Sequence, residues 1–203
     1  ELPARAPPLT VLFLQALAGA SIEIGYPRFA CGLMLAFHCF LRTGELLSLR
    51  RTDVTFSRSC RSAILNLHFT KGGVRRNQQE IVSLDDPTLA RWRFRILAPL
   101  SAGDTLIEQR PYVFRKLFSD LIQVLQLNGF GFKPYSLRRG GATHHYRTFA
   151  EINATSVRGR RSDIRTARIY ITDGRARLQE LQVDKKHEDM LQDYVLRLQA
   201  EGH

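Results

Sequence analysis

The 203-residue sequence predicts an α+β fold, mainly α-helical, with a small three-stranded antiparallel sheet inserted in a helical bundle. Two patterns point to it. Apolar residues recur at helical spacing in the first fifty residues and again from Asp86 onward. Between them, Ala63, Leu65, Leu67 and Phe69 alternate with Ile64, Asn66, His68 and Thr70, which is strand periodicity. The chain is long enough for a real core, and its 44% hydrophobic content argues against disorder.

The elements follow in order. Leu9, Leu12, Leu14, Leu17 and Ala18 mark a first helix after Pro7 and Pro8. Gly25 and Pro27 punctuate, and Pro27 suits the first turn of a second helix, about 28–41, apolar on most sides and so central. Thr43 is placed to cap a short third helix carrying Gly44 and Glu45 in its first turn. Strands are expected over 53–57, 62–70 and 74–84, with Lys71-Gly72-Gly73 turning the last two. Pro87 starts a helix to about Leu97, and Pro111 opens a longer one closed near Gly129. Ser136 to about Phe149 reads as helix despite Gly140 and Gly141, and Glu151 to Val157 as a shorter one. Arg158 to Ser162 is a basic turn. Leu178, Leu181, Met190, Leu191, Tyr194, Val195 and Leu198 belong to a helical tail over about 178–203.

Charge narrows the function. The net charge is +11, carried by 25 Arg and only 5 Lys. Arginine grips phosphate bidentately, so nucleic acid is the first partner to consider, against a basic face that merely aids solubility. Cys31, Cys39 and Cys60 are odd in number and match no disulfide framework, which suggests a reducing, intracellular setting. Cys31 and Cys39 read as core, and His144 as structural. Metal-ligand spacings are missing, so no metal site is expected. Neither apolar run, Thr10 to Ala20 or Cys31 to Leu41, reaches the length of a bilayer span.

The remaining informative residues are scattered in fixed order. Arg42 lies in L-R-T-G-E-L-L-S-L, Lys71 in T-K-G-G, and Arg138 in Y-S-L-R-R-G-G-A-T-H. Arg161 lies in R-G-R-R-S-D and Tyr170 in T-A-R-I-Y-I. In this order the chain resembles the catalytic domain of the tyrosine recombinase (phage integrase) family over nearly its whole length. Type IB topoisomerases share that chemistry. The resemblance makes residues 1–203 a single catalytic domain, with the family's N-terminal DNA-binding domain expected to be absent from this chain.

The resemblance implies DNA cleavage and rejoining in recombination or integration, as in mobile elements. The Tyr170 oxygen would attack a phosphodiester, form a 3′-phosphotyrosyl link and release a 5′-hydroxyl, with no cofactor and no metal. Arg42 and Arg138 would clamp the non-bridging oxygens, where charge develops in the transition state. Lys71 would protonate the leaving oxygen. Glu45 would orient an arginine rather than act on substrate. Two positions depart from the family pattern. Tyr135 stands where His is usual, and Arg161 where His or Trp is usual. Tyr135 can bind a phosphate oxygen but shuttles protons poorly at neutral pH, and Arg161 cannot be a base. Arg75, Arg76, Arg139, Arg158 and Arg160 are expected to contact DNA.

Taken singly, each residue has a plainer reading: Arg42 paired with Glu45, Lys71 as a solvated turn, Tyr135 and Tyr170 as packing aromatics, Arg138 as a surface phosphate contact. Three further functions stay open: a recombinase-derived DNA-binding module without turnover, a type IB topoisomerase-like relaxing enzyme, and a generic basic protein-interaction domain. Duplex DNA is the expected partner, with self-association on it as dimer or tetramer and no membrane. The expected location is the bacterial cytoplasm and nucleoid or the eukaryotic nucleus. The C-terminal helix either packs on its own domain or docks on a neighbouring protomer.

Overall fold

The computed structural model describes residues 6–68, 80–160 and 173–202. Its elements in chain order are α1 (Val11–Glu23), α2 (Pro27–His38), α3 (Thr43–Ser48), β1 (Val54–Phe56), β2 (Ala63–Leu67), β3 (Glu80–Leu84) and α4 (Pro87–Leu97). Then come α5 (Pro111–Val124), α6 (Tyr135–Phe149), α7 (Ile152–Arg158), α8 (Asp173–Leu181) and α9 (Lys185–Gly202). The three strands form one antiparallel sheet in the order β1-β2-β3, with Val54 opposite Leu65 and Leu65 opposite Val82. Expectation and structure agree on the fold class.

Helix α2 is the centre. Every residue from Phe29 to Phe37 is buried, and α1, α4 and α6 pack around it. It stops at His38, short of the expected Leu41, because Phe40 turns left-handed (φ 49°). The Leu41 N–H then reaches the Ala36 carbonyl at 2.9 Å, closing a C-terminal cap of the kind usually built on glycine. At α3 the cap is Arg42 rather than Thr43. The Arg42 N–H donates to Glu45 Oε2 at 2.8 Å, so the acid three residues on sets the helix start. Asp53, expected in a strand, is a buried cap instead: it accepts from the Arg50 N–H and meets His68 Nε2, both at 2.8 Å.

The glycines of α6 have a packing reason. A Cβ on Gly140 would stand 2.0 Å from the Leu9 carbonyl oxygen, and one on Gly141 2.0 Å from that of Phe37. Helix α6 therefore meets the entry to α1 and the end of α2 backbone to backbone. The tail packs within its own chain. Leu191, Val195 and Leu198 are buried, α9 lies along α1, and a Cβ on Gly19 would meet the Tyr194 carbonyl oxygen at 1.9 Å. Leu178 and Leu181 do not share this stripe; they are 60% and 81% exposed.

One core residue breaks the usual rule. Arg93 of α4 is 1% exposed, and among the described residues none of its three guanidinium nitrogens meets an oxygen or nitrogen acceptor, though the Cys31 thiol and the Asp86 charge act on it. It sits 5.6 Å from the Trp92 ring centre, near Cys31 and Cys39, and burial pulls its pKa down. Cys31 is pushed up to about 11 by burial, so it stays a neutral thiol and gives Arg93 no counter-charge at neutral pH.

Two predictions follow from the packing. Gly19→Ala should lower stability by about 1–3 kcal/mol in urea unfolding and expose α9 to protease, since α9 must lift off α1. Gly44→Ala, with open space around it, is the neutral control. Arg93→Met should raise the unfolding free energy by about 1–4 kcal/mol, read as a higher urea midpoint at unchanged slope, because an apolar side chain of similar length replaces a poorly compensated buried charge.

Candidate functional site

The site is built on the C-terminal end of α2. A helix ends on carbonyls without internal partners and a partial negative charge, and both attract cations. Here three arginines supply them. Arg158 donates from Nε and Nη2 to the His38 carbonyl at 3.2 and 3.1 Å, and from Nη2 to the Ser83 carbonyl at 3.1 Å. Arg160 reaches the Cys39 carbonyl at 3.4 Å and the Phe40 carbonyl at 3.3 Å. Arg138 donates from Nη1 to that same Phe40 carbonyl and from Nη2 to the Gly159 carbonyl at 2.7 Å.

Glu45 sits at the centre of this cluster and is buried. Its Oε1 pairs with the Arg42 guanidinium, its Oε2 accepts from Arg160 Nη2 at 2.6 Å, and Arg138 Nη1 lies 3.8 Å from Oε2. Arg160 Nε also faces Glu80 Oε2 at 2.9 Å. Burial lowers the Arg160 pKa, while Glu45 and Glu80 push it back up. Arginine stays charged in any such setting. Among the described residues, Arg42, Arg138 and Arg160 thus face Glu45 and Glu80, leaving one net positive charge. The Arg42 side chain is 38% exposed and forms the solvent-facing edge, where an anionic oxygen can be held.

The expected site residues divide. Arg42, Glu45 and Arg138 are brought together, with Glu45 in contact with both arginines. Arg138 is 1% exposed, with its fork on backbone carbonyls. Tyr135 is 37% exposed at the start of α6, one turn before Arg138. Three of the residues expected on DNA donate to protein carbonyls. Arg139 is buried and donates to the Ala6 carbonyl at 2.6 Å. Arg158 and Arg160 cap α2. For Arg158 and Arg160 the physical reason is the leftover carbonyls at the end of α2, whereas Arg139 meets a carbonyl of the segment before α1. Lys71, Arg75, Arg76, Arg161 and Tyr170 lie outside the described residues. Glu80 was missed, and its only signal in the sequence is an acid at the end of a basic hairpin.

Beside the cluster lies a cavity of about 420 Å³, lined among others by His38, Phe40, Asp85, His144, His145 and Phe149. Phe40 is shared: its ring faces the cavity while its carbonyl binds Arg138. Burial, with Arg93, His144 and Arg158 nearby, pushes His38 down to about 3. His144 and His145 are lowered as well, chiefly by burial. Among the described residues, no group of three or more His, Cys, Asp or Glu is placed to hold a metal ion, and no helix is long and apolar enough to cross a membrane.

No family model and no curated protein sequence matches this chain. Its shape does match solved structures. The XerH site-specific recombinase bound to a palindromic difH substrate in a post-cleavage complex matches at a TM-score of 0.65 and 16% identity, over 89% of this chain and 53% of that one. The XerA recombinase matches at 0.63 and 20%, over 90% and 66%. A lambda integrase dimer bound to a COC′ core site matches at 0.63 and 13%, over 86% and 50%. The chain spans about half the length of the XerH recombinase it matches. It has the fold of a tyrosine recombinase catalytic domain.

The histidine cluster sets an acid response. Unfolded, His38 takes up its proton near its ordinary 6.5, whereas the folded chain resists until about pH 3. Its contribution is therefore complete above pH 6.5 and is lost as pH falls from there toward 3, at up to about 1.4 kcal/mol per pH unit for one proton. Urea unfolding at a series of pH values should show this slope, and His38→Phe should remove one proton's worth of it.

Proposed function

We propose that this chain is the strand-transferring domain of a DNA recombinase or integrase, working through a 3′-phosphotyrosyl intermediate. The observation that carries the reading is the meeting of Arg42 and Arg138 at Glu45, in a fold similar to that of DNA recombinases. Those two arginines come from distant parts of the sequence, in the order the resemblance requires. In this reading the cluster receives the scissile phosphate at its Arg42 edge. The Arg138 fork exchanges a carbonyl for a phosphate oxygen as charge develops there. Tyr170 attacks the phosphorus after its phenolic proton passes to solvent water, in a field of arginines that favours the phenolate. Lys71 gives a proton to the departing 5′-oxygen. The phosphodiester energy is kept in the tyrosyl link, so a free 5′-hydroxyl can reverse the step. Duplex DNA is the partner, with self-association on it as the arrangement for exchanging strands.

A second reading is favoured by the engagement of Arg138 itself. With both arms of its fork on carbonyls, the chain would be a DNA-binding module without turnover.

The test is covalent trapping on a nicked DNA library whose cleaved end diffuses away. The parent chain should give a protein–DNA adduct on denaturing gels and Tyr170→Phe none. Arg42→Ala should slow adduct formation by about 10²–10³-fold. DNA binding that weakens with salt, at about −0.9 log units per neutralised phosphate, with no adduct from the parent would select the module. Supercoil relaxation without recombinant product would select the topoisomerase-like activity.

A further inference from the structure

We infer that Arg160 is a positioning residue for this strand-transfer site, an inference that rests on the reading above. Clasped between Glu45 and Glu80, its guanidinium locks together the chain segments that carry the reacting side chains.

The contacts are specific. Nη2 binds Glu45 at 2.6 Å, and Glu45 in turn holds both the backbone N–H and the guanidinium of Arg42. Nε faces Glu80 at 2.9 Å. Glu80 is the first residue of β3, the strand that follows the Lys71 segment in the sequence. Nη1 and Nη2 reach the carbonyls of Cys39 and Phe40, and the Phe40 carbonyl also anchors Arg138. Arg160 itself directly precedes Arg161 and stands ten residues before Tyr170. One side chain therefore touches the supports of Arg42 and Arg138 and the strand beyond Lys71, from the segment leading to Tyr170.

Three features distinguish this from a DNA contact. The Arg160 side chain is only 7% exposed. Its forked edges all face protein oxygens. Its backbone is left-handed (φ 52°), a conformation unfavourable for any residue that carries a Cβ, asparagine and aspartate least, and kept where surrounding contacts demand it. Lysine could neutralise one acid but could not bridge two acids and two carbonyls from one plane. Without Arg160, the Glu45 and Glu80 carboxylates would face each other across the site without their shared cation. Glu45 would then draw Arg42 and Arg138 more tightly and away from a phosphate.

The experiment compares Arg160→Met, Arg160→Lys and Glu80→Gln with the parent. On the nicked library, Arg160→Met and Glu80→Gln should slow adduct formation at saturating DNA by about tenfold or more. The Kd for a random-sequence duplex and its salt slope should stay within about twofold, and Arg160→Lys should not restore the rate. A weaker Kd with a salt slope reduced by about one unit would make Arg160 a DNA contact and overturn the inference. So would an unchanged rate, or full rescue by Arg160→Lys. Hydrogen exchange at the Arg42 amide provides an arm that needs no catalysis. Arg160→Met should speed it by about tenfold while α2 amides keep their protection, and an unchanged rate there overturns the inference. If the parent forms no adduct, the proposed reaction fails but this exchange still tests whether Arg160 holds Glu45 and Arg42 in place. If Arg160→Met does not fold, Glu80→Gln, which keeps the shape of its side chain, reads the same coupling.

Discussion

The structure depends on how the end of α2 is closed. A buried helix delivers its last carbonyls and the negative end of its dipole into the interior, where water cannot satisfy them. Phe40 turns the chain left-handed there, and His38, Cys39 and Phe40 present their oxygens to Arg158, Arg160 and Arg138. Three buried or half-buried guanidiniums would be unfavourable anywhere else in the core. Here each meets an acceptor, and Glu45 and Glu80 balance most of the charge that remains.

That closure and the candidate site are one object. Arg138 and Arg160, which complete α2, share Glu45 with Arg42, and among the residues of this cluster Arg42 stands at the solvent edge. The Gly140-Gly141 pair makes this possible by letting α6 approach α1 and α2 so closely that Arg138 reaches Phe40. Arg93 is the contrasting case: an arginine of similar burial that meets no oxygen acceptor among the described residues, held among thiols and a Trp face. The difference lies in whether a helix end is within reach.

Much of this was legible beforehand. Periodicity located the helices and the sheet because apolar spacing reports directly on burial. The order of Arg42, Lys71, Arg138 and Tyr170 pointed to a fold that the shape comparison bears out. The pairing of Arg42 with Glu45 is local, so three-residue spacing revealed it. What sequence could not convey was the inward turn of Arg139, Arg158 and Arg160. An arginine in a basic turn looks the same whether it faces phosphate or a carbonyl distant in the chain. The partner decides, and Ala6, His38 and Cys39 carry no side-chain signal for that role. Glu80 was hidden for the same reason, since its meaning comes from Arg160 lying across from it. The caps at Arg42 and Asp53 displaced the expected element starts by hydrogen bonds that propensity does not encode.

The closure of α2 also bears on how the molecule assembles. Arg138 reaches a carbonyl 98 residues earlier in the chain, and Arg158 and Arg160 reach back 120 and 121. Contacts of such long sequence separation form late, because the intervening loop must lose its freedom before any of them is made. A nascent chain that has emerged only through the sheet carries α2 with its terminal oxygens still bare. The arginine–glutamate cluster cannot exist in any such partial fold. It matures in the same step that docks α6 and α7, so a half-made chain lacks the cluster altogether.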